Sequence, residues 1–483
     1  MDTALEKKSK KMSVEKLFLY FALIFGLITI FVQPIFAAPD EFNHFKSANA
    51  VFHKDTDQIV GQVNQLTVQT PHKGPDLNKQ ALNEPDSSFA FESSYKDGTF
   101  FQEFFKDKVI NTGNLSFNLS FAQLKWLPQA IGILIGQLIH PSFGVMIIAG
   151  RLVNFLLYLI IIYFAIKKAK FGQWFMSAVA LLPISIQQAT SLSYDVIYYA
   201  VIFACFSLLT NLWTRKEKLN IKWIVYCLVM FVALLIPKAA VLILFLLFLT
   251  VPSRLFGENK FTQYLDKFWN FWEKHKIWAF VIILIAFLGL ISYEFRAVAG
   301  GQRGIQVLFN TFFRPDFYQN MDSILTSGMI GNFGQMTYRL PAWLIVVDFI
   351  FLFLLAFNEK EIKLNKRVAI ASGIAYLLVL IMTAITMFLG WTLRALNIAG
   401  ALISLGNQGR YYTPFLIILL PIAFQLGKYI KVEINPVVVR KIFKFIIIFN
   451  LVYFLALTVM FYYLPDRGAN LLPNMIKEIK GLL

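Results

Sequence analysis

Apolar runs of about twenty residues recur along the whole chain, and they decide most of what it can fold into. A helix rises 1.5 Å per residue, so roughly 20 apolar residues cross the hydrocarbon of a bilayer. Eleven segments meet or approach that length: 17–36, 143–166, 172–190, 194–213, 222–236, 238–252, 277–293, 342–358, 367–390, 411–428 and 442–463. Of 483 residues, 57% are hydrophobic and 15% charged, where soluble domains hold about 25% charged residues. The pattern predicts an all-α polytopic membrane protein, with a single transmembrane domain over 1–483.

The net charge of +17 raises nucleic acid as a partner, but its distribution argues against one. Short lysine-rich connectors separate the apolar runs: "KKAK" at Lys167, "RKEK" at Arg215, "NEKEIKLNKR" from Asn358, and the stretch from Lys428 to Lys444. Such connectors orient helices against the cytoplasmic leaflet. They place the N-terminus inside and the C-terminus outside. Segment 222–252 is then a hairpin breaking at Pro237-Lys238, because a single helix would send the later basic connectors outside. The N-terminal lysines and the 20-residue core that follows read as a retained span rather than a signal peptide cleaved near Ala37-Ala38.

On this topology 37–126 is a first exterior loop, with 11 acids against 8 lysines. "FFQEFF" from Phe100 and the apolar stretch from Phe117 to Ile139 are expected to lie along the membrane surface as amphipathic helices. Segment 253–276 is cytoplasmic and interfacial; 294–341 and 391–410 are further exterior loops. Cys205 and Cys227 lie inside apolar runs and read as packing, with neither a disulfide nor a metal site.

Polar residues that interrupt the apolar segments fall mostly on the exterior side. Asp40, Glu41 and His44 follow the first span. Arg151 and Asn154 share a face of the second, "QQATSLSYD" runs from Gln187 to Asp195, Lys238 marks the hairpin tip, and "GNQGRYY" runs from Gly406 to Tyr412. Charge near a bilayer is expensive, so such residues are paired or functional. Simpler explanations compete. Asp40, Glu41 and above all Asp195 suit helix starts, whose dipole favours anions; Arg151 suits snorkelling; Asp348 suits a basic neighbour. His44 and His53 beside carboxylates leave a metal open on weak spacing.

Six stretches carry a resemblance: P-D-E-x-x-H-F at Pro39–Phe45, "LPQAIGILIG" from Leu127, "GRLVN" from Gly150, "LLPISIQQATSLSYD" from Leu181, "FGQMTYRLP" from Phe333 and "NQGRYYTP" from Asn407. Together they resemble an uncharacterised family of bacterial predicted membrane proteins. Through it the chain is similar to the GT-C superfamily of membrane glycosyltransferases, which take sugar from a polyprenyl-phosphate carrier. Two positions depart from the family pattern: Asn43, where proline is usual, and Ala239-Ala240, where two prolines follow the lysine.

The resemblance implies an inverting enzyme on the outer face of a bacterial cytoplasmic membrane. Its partners would be a polyprenyl-phosphate-linked sugar, a glycopolymer or lipid-linked acceptor, and membrane lipids, with no nucleic acid. Asp40 is the implied general base. Glu41 would orient the acceptor or hold a divalent ion, the one cofactor left open, and His44 would support them. Lys238 and Arg410, then Arg151 and Arg339, would stabilise the leaving phosphate. Gln188, Tyr194, Asp195, Gln408 and Tyr411 would line the substrate. A flippase or transporter of lipid-linked sugars, a polysaccharide polymerase or ligase, and a non-catalytic assembly partner are the competing functions.

Overall fold

The computed structural model describes residues 12–54, 114–296, 300–359, 362–398, 400–430 and 432–463. The "FFQEFF" segment lies outside the described residues. The described residues are mostly helical, with one short hairpin, β1 (Asn332–Phe333) paired antiparallel with β2 (Tyr338–Arg339), and an isolated bridge between His53 and Leu115.

Helix α1 (Val14–Val32) ends where Pro34 forbids its continuation, and α2 (Glu41–Asn49) begins just after Pro39. A 3-10 turn, Phe121–Trp126, then leads into α3 (Leu127–Ile139), which carries Pro128 in its first turn. Ser142 caps α4 (Phe143–Lys168), accepting from the Val145 N–H, and Lys167 and Lys168 occupy its last turn, where cations suit the helix dipole. Helix α3 packs on α4. It runs antiparallel along the first turns of α4, and a Cβ on Gly132 would meet the Ala149 carbonyl oxygen at 2.4 Å, one on Gly136 the Met146 Cα at 2.7 Å. Two glycines spaced by one turn allow that approach, and packing on α4 then sets the helix direction.

The segment 172–190 is two helices, α5 (Gln173–Leu181) and α6 (Pro183–Ala189). Pro183 lacks the N–H that a continuous helix needs, and the Ser185 hydroxyl bonds the Val179 carbonyl freed at the break (2.7 Å). A tight turn leads into α7 (Asp195–Thr214), which is buried along most of its length. Beyond α8 (Ile221–Leu234) the chain breaks near Pro237-Lys238, as the sequence suggested, and returns through the 3-10 and α turns of 239–248.

Helix α9 (Lys260–Lys274) opens with a capping box at Asn259. Its Trp269 indole donates to the Leu249 carbonyl (2.8 Å), and Glu273 pairs with Arg367. Then follow α10 (Lys276–Glu294), α11 (Gly300–Phe313), α12 (Tyr318–Leu325) and α13 (Ser327–Ile330), the β1–β2 hairpin, α14 (Ala342–Phe357) and α15 (Lys366–Met387). The last continues as π-turns through Ala395. A 3-10 stretch precedes α16 (Leu420–Leu426), and α17 (Pro436–Tyr463) completes the described chain.

Among the described residues five helices are long and apolar enough to cross a membrane: α1, α4, α7, α15 with its extension, and α17. This is an all-α membrane protein. Asp348 departs from the expected basic neighbour: it accepts from the Asn450 amide (2.5 Å), joining α14 to α17 through an acid–amide contact. Both cysteines are free thiols.

Candidate active site

The Pro-Asp-Glu motif splits its two acids. Asp40 adopts φ +60, a left-handed conformation that aspartate tolerates better than most residues. Its side chain stays 44% exposed, while Glu41, the first residue of α2, is fully buried. Arg151 grips Glu41 with two parallel bonds, Nε to Oε1 and Nη2 to Oε2, both 2.7 Å. The Leu192 N–H adds a third at 3.1 Å.

Arg151 also donates to the carbonyls of Ile30 (3.0 Å), Gln33 (2.7 Å) and Pro34 (2.8 Å). Those groups close α1, where helix carbonyls lack intrahelical donors. One turn on, the Asn154 amide donates to the carbonyls of Ser191 and Ser193 at 2.8 and 2.9 Å. So Arg151 and Asn154, on one face of α4, tie the end of α1 and the turn before α7 to one place. Arg151 is consumed by these contacts rather than snorkelling.

Around Asp40 the charges alternate. Arg410, itself 3% exposed, donates to Asp40 Oδ2 at 2.6 Å and to the Pro39 carbonyl and Gln188 Oε1, both at 3.3 Å. Its Nε lies 3.8 Å from Asp195 Oδ2, and the other oxygen of Asp195 is ion-paired with Lys238 Nζ at 2.6 Å. Asp195 is therefore more than a helix-start acid: its side chain joins two cations. Lys238 also sits 3.7 Å above the Tyr411 ring centre, and the Tyr411 hydroxyl accepts from Arg410 Nη2 at 3.4 Å. Arg410 is set by a close backbone approach, since a Cβ on Gly409 would meet the Gly328 carbonyl carbon at 2.2 Å. Gln408 lies at the start of this turn, half-buried, with its carbonyl accepting from the Tyr411 N–H at 3.0 Å.

His44 faces the cluster from α2. The Trp126 indole N–H donates to its Nδ1 at 3.4 Å, Ser193 Oγ lies 3.5 Å from Nε2, and the Tyr194 ring meets it edge-on at 4.9 Å. An accepting Nδ1 requires the proton on Nε2. Burial lowers the His44 pKa to about 4, overriding the upward pull of Asp195 and Asp40. The imidazole is neutral at neutral pH.

Of the sequence-derived candidates, Asp40, His44, Gln188, Tyr194, Asp195, Lys238, Arg410 and Tyr411 come together. Glu41 and Arg151 form the neutral support beneath them. Arg339 is placed apart, on β2, paired with Asp322, whose carboxylate also receives the hydroxyls of Thr326 and Ser327. His53 bonds the Asn49 carbonyl through Nδ1 (3.0 Å). Among the described residues no group of His, Cys, Asp and Glu is arranged to hold a metal ion; Glu41, Asp40 and Asp195 are each held by arginine or lysine. The divalent ion left open by the sequence finds no donor set among the described residues.

The sequence reading missed Lys125. Its Nζ lies 4.4 Å from the Trp126 ring centre and 4.7 Å from that of Tyr194. A lysine and an aromatic residue just before the Leu127-Pro128 helix start were the available signal.

A family model described as "Predicted membrane protein (DUF2142)" matches residues 23–419. The chain belongs to that family. No curated protein and no solved structure matches the chain. The span matched to DUF2142 runs from within α1 to the 3-10 stretch before α16, and so contains every residue of the cluster.

Proposed function

We propose that this DUF2142 protein is an integral-membrane glycosyltransferase of the GT-C type, moving a sugar from a polyprenyl-phosphate carrier to a cell-wall or surface glycopolymer. The reading sets it in a bacterial cytoplasmic membrane, N-terminus inside, with the cluster facing out. It takes eleven spans: the five long helices, the shorter apolar helices at 221–234, 239–248, 284–294, 342–357 and 413–426, and the broken pair α5–α6.

One observation carries the reading: a half-exposed carboxylate, Asp40, held through one oxygen by a buried arginine in a cluster that also contains Lys238. Asp40 Oδ2 is taken by Arg410, which leaves Oδ1 to receive a proton. In the proposed step Oδ1 accepts the proton of the acceptor hydroxyl while that oxygen bonds the anomeric carbon of the donor. The bond from anomeric carbon to phosphate oxygen breaks, and the polyprenyl phosphate leaves with the electron pair. A single displacement inverts the anomeric centre. Lys238 and Arg410 are the cations at hand for the charge that develops on the phosphate, and such preorganised donors are a major source of catalysis. Glu41 and Arg151 act by holding Asp40 in place.

The test is transfer from a polyprenyl-phosphate sugar by purified protein in liposomes. Asp40→Asn keeps shape and removes the base, so turnover should drop by about 100- to 10,000-fold with only a small shift of the melting curve. Turnover of Asp40→Asn near that of the parent overturns the reading.

A further inference from the structure

Trp126 is the residue before α3 and Tyr194 the residue before α7. Their rings meet edge to face, 5.5 Å apart at 80°. Two helices of 13 and 20 residues therefore begin at one point, each presenting the positive end of its dipole. Over the same Tyr194 ring stand two ammonium groups, Lys125 Nζ at 4.7 Å and Lys238 Nζ at 5.1 Å from its centre.

Two ammonium groups that each stand about 5 Å from one ring centre repel unless an anion lies between or beside them. Asp195 answers Lys238, but among the described residues no carboxylate pairs with Lys125. The surrounding charges are Lys125, Lys238 and Arg410 against Asp40 and Asp195, with His44 neutral, which leaves one positive charge unanswered. Gln188 Nε2, buried, has no hydrogen-bond acceptor, and Arg410 Nε faces only the Asp195 carboxylate, at 3.8 Å. Burial, and then the charge of Lys238, push the Lys125 pKa down, outweighing the upward pull of Asp195. A ligand anion would relieve both the repulsion and the charge imbalance.

We propose that Lys125 and Lys238, meeting over Tyr194 where α3 and α7 begin, form a phosphate-binding site in which Lys125 touches the phosphate directly. An ammonium on a flexible stem suits a phosphate approached from the half-exposed side, and its aromatic neighbours hold it without neutralising it. The inference rests on the functional reading for its choice of a lipid phosphate as probe; the binding test itself needs no sugar transfer.

The experiment measures binding of a long-chain polyprenyl monophosphate to the full chain in phosphatidylcholine nanodiscs, with inorganic phosphate as a second probe in solution. Lys125→Gln should weaken binding by about tenfold or more, the effect of one charge-assisted contact. Lys125→Arg, which keeps the charge, should recover most of it. Lys46→Met, which removes a lysine above the Phe42 ring on α2, should change nothing. Displacement of the lipid by millimolar inorganic phosphate identifies the anion itself as the ligand; binding of the lipid alone makes the membrane-borne form the ligand. Equal binding by parent, Lys125→Gln and Lys125→Arg overturns the proposal, as does failure of the parent to bind either probe. Lys125-dependent binding without sugar transfer would leave this site standing and remove the glycosyltransferase reading. Transfer that is indifferent to Lys125 would do the reverse.

Discussion

Arg410 donates to Asp40 at 2.6 Å across 370 residues of chain, and both its contact to Gln188 and its approach to Asp195 depend on the same guanidinium. One buried side chain thereby joins three stretches of the sequence, at 39–40, 187–195 and 406–412, in a single charged cluster.

Removing that link should separate function from fold only partly. Arg410→Lys keeps the charge but cannot reach Asp40, Gln188 and the Pro39 carbonyl at once. Sugar transfer should fall by about 10- to 1,000-fold, measured beside Lys238→Met, which should fall by about tenfold or more. Lys238→Arg should be a partial loss. Normal rates in both Arg410→Lys and Lys238→Met would reduce these residues to anchors.

Glu41 and Arg151 should behave in the opposite way. Breaking a fully buried, bidentate pair from one side strands a charge and costs about 3–5 kcal/mol. Glu41→Gln and Arg151→Met should each lower the melting temperature in detergent far more than Asp40→Asn does. The double variant Glu41→Gln with Arg151→Met should be less destabilised than the sum of the two, because neither charge is then left alone. Additive losses would show that the two residues act independently.

Acidification should loosen the cluster through His44. Its folded pKa, lowered to about 4 by burial, lies below the unfolded value near 6.5, so the unfolded chain binds the extra proton more readily. The stability held by neutral His44 is complete above about pH 6.5 and is lost as pH falls toward 4, up to about 3 kcal/mol in all. Melting curves across that window should show the decline, and His44→Gln should flatten it. An equal slope in the variant would assign the decline to other groups.

Orientation is testable by labelling in a background with Cys205 and Cys227 replaced. A cysteine at Arg314, exposed just after α11, should react with an impermeant maleimide in intact cells. One at Lys363, in the basic connector before α15, should react only after permeabilisation. The reason is the lysine and arginine excess of the connectors assigned to the cytoplasm. Labelling of Lys363 in intact cells would invert the membrane assignment.

Much of the helical plan follows from local rules that act on neighbouring residues. Apolar length marks α1, α4, α7, α15 and α17; proline at 34, 183 and 237 marks where helices stop; the run of polar residues from Gln187 to Asp195 marks the turn before α7. The direction of α3 was not legible, because Gly132 and Gly136 reveal their purpose only once the α4 backbone lies against them. Nor was the difference between Asp40 and Glu41. Adjacent acids in a sequence look alike, but a single left-handed residue sends one inward to Arg151 and leaves the other at the surface beside Arg410. The same holds for Lys125, which reads as a loop lysine until Tyr194 arrives beneath it. Amino-acid order determined which charges this protein carries. Only tertiary structure decided which of them cancel and which remain free, because ion pairing acts over a few ångströms of space and is indifferent to distance along the chain.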